Sequence, residues 1–435
     1  MSDESYLDQL SGKRITRRRF MTMGAVGAAG LAAAGLVGCS SNESTTSGTA
    51  TAISYPDQGI SDTEIKLGCV LPISGPILGS NALPNSYKAY WEYVNAEKNG
   101  VDGRKVTFIL YDGAYNPVQT LDQVRRLVEQ DKVFALVELL GTPTNQAIQP
   151  YVEQNKVPNM FIGSGASVFL DPKAHPYTTM GNMPYVVEGG IIGDYIAKNM
   201  SGARIGVFRQ NDPLGESFLD GLKKGLGADK AGQIVSVQTY ETTDVNMSAQ
   251  ALAIRNANCD AVCCFSILRP TVPFVKECFN LGFKPTFFAG LTSGSLDVIK
   301  AVGQDQFVDK WITVFPRKDP RDPTYANDPA VQQAKQIISK YEPSTDTTDP
   351  NFTSGLDSMA VVEQCLKNMK TPTRQGFIDS VRSVKGFLST IGLPGCTWDG
   401  STSTNATQSK ERLAKWGGDR WVQFGDVVDG AKYLA

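Results

Sequence analysis

From Glu64 onward, short apolar and β-branched runs alternate with longer stretches whose apolar positions recur every three to four residues. The runs predict strands over 65–71, 105–111, 135–140 and 159–162, with helices over 85–98, 118–130 and 144–154 between them. Gly181-Asn182-Met183-Pro184 interrupts the series, which restarts with a helix over 186–198. Strands over 204–208, 234–240, 261–266, 286–289 and 311–315 follow, separated by helices over 214–226, 248–256, 272–281 and 296–302. Three more helices are read over 329–341, 354–368 and 374–384. Such alternation predicts parallel sheets with helices on both faces, and the restart divides them in two. The expected fold class is α/β, with two doubly wound parallel-sheet lobes. Ligands of such sheets sit beyond the carboxyl ends of the strands, so the cleft between two lobes is the natural site.

The N-terminal segment has a different pattern. Thr16-Arg17-Arg18-Arg19-Phe20-Met21 fits a twin-arginine export signal, with Arg17 and Arg18 as the pair that a receptor reads. Residues 23–38 are weakly apolar and rich in Ala and Gly, and Leu36-Val37-Gly38-Cys39 forms a lipobox. Cys39 is then the thiol that takes diacylglycerol. The other reading, a single-pass anchor, needs roughly 20 strongly apolar residues, more than this segment offers. The small polar residues over 40–54 cannot bury enough apolar area to order themselves and predict a flexible tether. The division expected is therefore 1–38 signal peptide and 39–61 lipid-anchored linker, followed by the folded body.

Residues 1–38 hold five basic and three acidic residues of the chain's 42 and 44, so the remainder has 37 against 41 and a net charge of −4. A faintly acidic surface offers no footprint for nucleic acid. Cys39 apart, seven cysteines remain, an odd number that excludes a fully paired framework. Cys69, Cys263 and Cys264 fall in strand-like runs and read as buried small hydrophobes. No C-x-x-C is present, which argues against a zinc ribbon or thioredoxin motif. A Cys365–Cys396 bridge is open on spacing alone.

A search for catalytic chemistry finds little. His175 is the single histidine, in the turn-like run DPKAHPY. No G-x-S-x-G, H-E-x-x-H, Walker loop or dinucleotide G-x-G-x-x-G occurs. No enzyme activity, metal or cofactor is expected. Three strand-to-helix junctions are more informative. The first, Leu71 to Ser80, contains Ser74 and Ser80; the second is Gly141-Thr142-Pro143-Thr144-Asn145; the third is Gly163-Ser164-Gly165-Ala166-Ser167. Thr142 is expected as an N-cap with Pro143 in the first helical position, leaving free amides that suit a carboxylate. Taken singly, these are ordinary βα turns; three at successive strand ends of one lobe predict a shared anion-tolerant pocket.

The stretches IKLGCVLPISGP, VNAEKNGVDGRKVTFILYDGAYNP, LVELLGTPTNQAIQPYVEQNKVP, RIGVFRQNDPLGESFLDGLKKGL and TIGLPGCTWDG carry a resemblance. The chain resembles the leucine/isoleucine/valine-binding type of solute receptor, a type I periplasmic binding protein serving ATP-binding-cassette importers, over roughly residues 62–435. The resemblance implies a three-strand hinge near Gly181–Pro184, Val314–Arg317 and Gly395–Asp399. It implies a first lobe of 62–182 and 317–395, and a second of 183–316 and 396–435.

Carried over by position, Thr142 matches the hydroxyl that binds the ligand carboxylate. Ala166 and Ser167 match an Ala-Thr pair that bonds carboxylate and ammonium. Ser80 falls where amino-acid receptors place an aromatic side chain, Leu214 where many have tyrosine, and Thr292 where they have the glutamate that neutralises the ammonium. Ile267-Leu268 also lacks a tyrosine. The resemblance thus implies a ligand with a carboxylate or a neutral polar group and an apolar body, flanked by Leu214, Ile267 and Leu268, and not necessarily an α-amino acid. The implied protein is an extracytoplasmic, lipid-anchored, monomeric receptor that delivers branched-chain amino acids or a related small carboxylate or amide to permease subunits. A receptor feeding a signalling partner and a surface hydrolase using the cleft are the alternatives.

Overall fold

The computed structural model describes residues 55–77 and 79–435. The export signal with Arg17 and Arg18, Cys39 and most of the expected linker lie outside the described residues. The end of that linker does not behave as one: Ile60 is buried and pairs with Ile65, and Gln58 Nε2 donates to Val128 O at 2.8 Å. The folded body begins earlier than residue 62.

The first sheet contains β1 (Glu64–Leu71), β2 (Lys105–Asp112), β3 (Ala135–Val137), β4 (Asn159–Ile162) and β5 (Thr178–Met180). All pairings are parallel and the order is β2-β1-β3-β4-β5. Between the strands run α1 (Ala82–Glu97), α2 (Pro117–Glu129) and α3 (Thr142–Asn155). The chain leaves through Gly181–Pro184 and builds α4 (Tyr185–Asn199), β6 (Ile205–Gln210), α5 (Pro213–Leu226), β7 (Ile234–Tyr240), α6 (Ser248–Asn256), β8 (Ala261–Phe265), α7 (Leu268–Asn280), β9 (Thr286–Ala289), α8 (Leu296–Val302) and β10 (Trp311–Val314). It then returns to the first lobe as α9 (Pro329–Tyr341), α10 (Asn351–Lys367) and α11 (Arg374–Ser383). Trp91 of α1, Met359 of α10 and Phe377 of α11 share one core with β1, which seats these late helices on the first sheet.

The second sheet is larger, β12-β11-β10-β9-β8-β6-β7, because a C-terminal hairpin of β11 (Lys410–Trp416) and β12 (Trp421–Asp429) joins β10 antiparallel. In both sheets the strand order reverses beside the first strand laid down, at β1/β3 and at β6/β8. Strands at such reversals are buried on both faces; AVCCF of β8 has no exposed residue.

The expected elements are present, with three differences. β3 stops at Val137, and Glu138 after it takes a left-handed φ of 57°. β5 and the C-terminal hairpin were not expected. The third crossing lies later than Gly395–Asp399: Trp398 packs edge-on against Phe161 at 5.6 Å in the first-lobe core. The crossing segment instead follows Ala406, which bridges Met180, with Thr407 Oγ1 on Met180 O at 2.5 Å and Gln408 Nε2 on Gly181 O at 2.8 Å. Burial of the indole holds 398 in the first lobe until the chain has turned back.

The seven cysteines described are all free and buried, so Cys365 and Cys396 form no bridge.

Candidate functional site

The carboxyl ends of β1 and β3 face those of β6, β8 and β9 across a cavity of about 150 Å³. At roughly 10–15 Å³ per enclosed water on this measure, it takes on the order of ten non-hydrogen atoms. The lobes touch over it. Arg269 N donates to Pro76 O at 3.0 Å, Gln210 Nε2 to Tyr115 OH at 3.3 Å, and Ser167 N to Ser217 Oγ at 2.9 Å. The arrangement is a closed one.

On the first-lobe side Thr142 opens α3 at its first helical position. The cap is Gly141, not Thr142, and its φ of 122° is one that only glycine adopts easily. A β-carbon there would also meet Thr144 Oγ1 at 2.4 Å and the Tyr115 ring at 2.6 Å. α3 has no side-chain cap, and Thr142 at its start lines the cavity. Thr142 Oγ1 lies 2.8 Å from Ser164 Oγ, and its hydroxyl also bonds Tyr185. On the second-lobe side Leu214, Ile267 and Leu291 form an apolar wall, with Thr292 beside them donating its hydroxyl to Ser266 O at 2.8 Å.

Of the residues expected at the site, Thr142, Leu214, Ile267 and Thr292 line the cavity. Five others do not. Ser74 is turned outward onto Asp112, its Oγ 2.5 Å from Oδ2, and Ser80 is tied to Asp349 at 2.5 Å. Ser164 stands behind Thr142, bonded to it. Ala166 is fully buried in the second-lobe core, and Ser167 has its side chain exposed and its amide occupied by Ser217. The Gly163–Ser167 loop therefore docks the lobes together rather than presenting amides inward. Leu268 turns into the core of the second lobe, away from the cavity.

The hinge side of the cavity is charged, which the sequence reading missed. Glu138, Arg317 and Glu411 line it together with Gln408 and Asn182. Each charged residue belongs to a different segment: Glu138 follows β3, Arg317 lies on the second crossing and Glu411 starts β11. Tyr87 OH donates to Glu138 Oε2 at 3.0 Å, while Oε1 has no partner. Burial pushes this carboxyl up to about 7, against the opposing effects of Tyr87, Ser358 and Arg317. Both oxygens of Glu411 are buried without a partner; burial, then the neighbouring Glu188, hold it well above the usual carboxylate range. Burial also pushes Glu188, which accepts from Leu291 N at 2.8 Å, up to about 8. Arg317 Nε bonds Asp357 Oδ2 at 3.0 Å. One signal was available: Glu138 is the single charge in the apolar run FALVELLG. His175 lies elsewhere, with Nε2 on Val168 O at 3.0 Å.

The profile of the family described as "Periplasmic binding protein" matches residues 64–419. The Leu/Ile/Val-binding protein homolog 7 of Brucella suis biovar 1 (strain 1330) is 26% identical over 253 residues, covering 56% of this chain and 62% of the relative's length. An amino acid binding protein of Pseudomonas aeruginosa is 24% identical over 290 residues, 62% of this chain and 71% of that one. Among solved structures, a branched chain amino acid ABC transporter protein from Thermus thermophilus with bound valine superimposes with a TM-score of 0.74 at 18% identity, covering 86% of this chain and 98% of that one. A fatty acid ABC transporter substrate-binding protein from Thermomonospora curvata gives 0.71 at 20%, covering 86% and 95%. At these identities the likeness of structures is one of fold. The family profile spans both lobes and all three crossings between them, and on that match the chain belongs to the periplasmic binding protein family.

Proposed function

We propose that this protein is the extracytoplasmic, lipid-anchored receptor of an ATP-binding-cassette importer, which captures a branched-chain amino acid or a related small carboxylate or amide between its lobes and releases it unaltered. The observation that carries this reading is the interlobe cavity, with an uncapped helix start and Thr142 on one wall and Leu214 and Ile267 on the other. A helix start favours a carboxylate or amide oxygen, while the opposite wall buries an apolar body. A ligand touching both walls stabilises the closed arrangement by contacts that the open one lacks, and closure creates the surface a permease reads. Relatives named for amino acids and for leucine, isoleucine and valine support this class of ligand. Export through Arg17 and Arg18 and anchoring through Cys39 complete the proposal.

Calorimetry of the purified protein with L-leucine, L-isoleucine, L-valine, 4-methylpentanoic acid and 4-methylpentanamide tests the ligand class. Saturable binding of at least one, with the compound recovered unchanged, is expected; no binding to any of them removes this ligand class. For the anchor, Cys39→Ser should release the protein from membranes and Arg17→Lys with Arg18→Lys should block its export. Membrane attachment of the Cys39→Ser chain would refute the lipid site.

A further inference from the structure

Three carboxyl groups crowd the crossings that join the lobes. Glu411 and Glu138 line the ligand cavity; Glu188 sits behind Glu411 and is satisfied by the Leu291 amide. Glu411 is fully buried with neither oxygen partnered, and Glu138 is 4% exposed with Oε1 unpartnered. Buried acceptors without donors are rare in folded proteins and destabilise them. The cation beside them, Arg317, is held through Nε by Asp357, itself buried. One guanidinium therefore serves three carboxyl groups, those of Asp357, Glu138 and Glu411.

The geometry of Glu138 strengthens the case. It is a non-glycine residue at a left-handed φ of 57°. This turn carries its side chain to the first crossing, where a β-carbon on Gly181 would lie 3.0 Å from Oε1. Gln408 donates to the same Gly181 and is three residues from Glu411. Both acids thus line the hinge end of the cavity, their unpartnered oxygens enclosed in its wall.

We infer that this end is a subsite for a protonated amine of the ligand, with Glu411 and Glu138 as its acceptors. The inference rests on the receptor reading above and narrows its ligand to an amine-bearing one. Thr292, which stands where amino-acid receptors have a glutamate for the ammonium, is then not the deciding position, since acceptors come from the hinge side. An ammonium supplies three donors and a positive charge to groups that have too few of both. It also favours the ionised acids, so its binding releases protons. Because Glu138 belongs to the first lobe and Glu411 to the second, an amine held by both ties binding to the closed state.

The test uses matched probes on one skeleton: L-leucine, 3-methylbutan-1-amine, 4-methylpentanoic acid and 4-methylpentanamide. Each is titrated calorimetrically at pH 7 in two buffers of different ionisation heat, with the wild type, Glu411→Gln and Glu138→Gln. The expected result is binding of the amine-bearing probes with proton release, weakened at least tenfold in Glu411→Gln. Probes without the amine should change less than twofold. Circular dichroism verifies that each variant folds, and Glu138→Gln serves alone if Glu411→Gln does not. Amine-free probes binding as tightly as their amine-bearing counterparts, or variants that bind amines as the wild type does, would overturn the subsite and leave the receptor reading intact. Silence towards every probe, by contrast, counts against both.

Discussion

Replacing Glu138 by glutamine should change the pH dependence of stability rather than simply its level. The carboxyl of Glu138 is held at about 7 in the folded protein against 4.5 when free, chiefly by burial. Below pH 4.5 it is protonated in both states and contributes nothing to the pH dependence. Between 4.5 and 7 the unfolded chain loses the proton while the native one keeps it, so stability falls by about 1.4 kcal/mol per pH unit. Above 7 both forms are ionised and the accumulated loss is about 3 kcal/mol. Glutamine cannot ionise and lacks this loss. The stability of Glu138→Gln relative to wild type should therefore rise by about 3 kcal/mol from pH 4 to pH 8. For a unit spanning Ile53–Ala435, with roughly 0.8 kcal/mol per degree at the midpoint, that is a relative gain of about 4 °C in Tm. Any offset from placing an amide beside Tyr87 and Ser358 is the same at every pH. The groups facing Glu138, namely Tyr87 and Cys69 beneath it and Arg317 and Asp357 beside it, remain in both proteins. Melts of both proteins at intervals from pH 4 to 8.5 are the assay. Parallel curves would refute the reasoning, because they would mean that Glu138 ionises as freely as in water.

Other consequences follow from single contacts. Arg317→Met should destabilise by about 3–5 kcal/mol, the usual result of leaving one member of a buried pair, here Asp357, without its partner; denaturant melts measure it. Gly221→Ala places a β-carbon 2.2 Å from Val186 O, forcing α5 off α4. A loss of about 2 kcal/mol is expected despite the roughly 1 kcal/mol that alanine gains as a helix former, and an unchanged Tm would show that the helices part easily. Burial raises the titration of the thiols, Cys259 to about 11 and Cys278 to about 12. At pH 8 a thiol reagent should label the seven described cysteines only after denaturant is added. Thr142→Val keeps the shape of the helix start but removes its hydroxyl; affinity for a carboxylate-bearing ligand should fall about tenfold by calorimetry, and stability should fall by about 1–3 kcal/mol as Ser164 and Tyr185 lose a partner.

The fold was legible because its signals are local. Parallel strands buried on both faces read as continuous apolar runs, and AVCCF or IKLGCVL admits few other readings. The hairpin β11–β12 was not legible, because KERLAKW mixes charges with apolar residues at an antiparallel position where one face of the strand is less covered. β5 is only three residues long, too short for a period to show. The crossing that follows Ala406 was misplaced for a related reason: its position depends on Trp398 finding Phe161, a contact between residues far apart in sequence.

The site divides along the same line. Thr142 could be placed because a Gly-Thr-Pro junction specifies a helix start, and the structure adds only that Gly141 is the cap. Ser164 and Ser167 looked equivalent to it as loop hydroxyls, yet one backs Thr142 and the other's amide holds Ser217, distinctions that depend on the neighbouring lobe. The charges at the hinge are less local still. Glu138, Glu188, Arg317, Asp357 and Glu411 come from five segments, and no window of sequence contains two of them at contact spacing. A ligand's charge cannot then be inferred from one aligned position such as Thr292. It follows from the cavity wall and the shell behind it, where Glu138, Asp357 and Glu411 surround Arg317, and Glu138 and Glu411 line the space a ligand would fill. On the proposed subsite, that wall takes an amine and yields protons to the solvent, whichever second-lobe residue faces it.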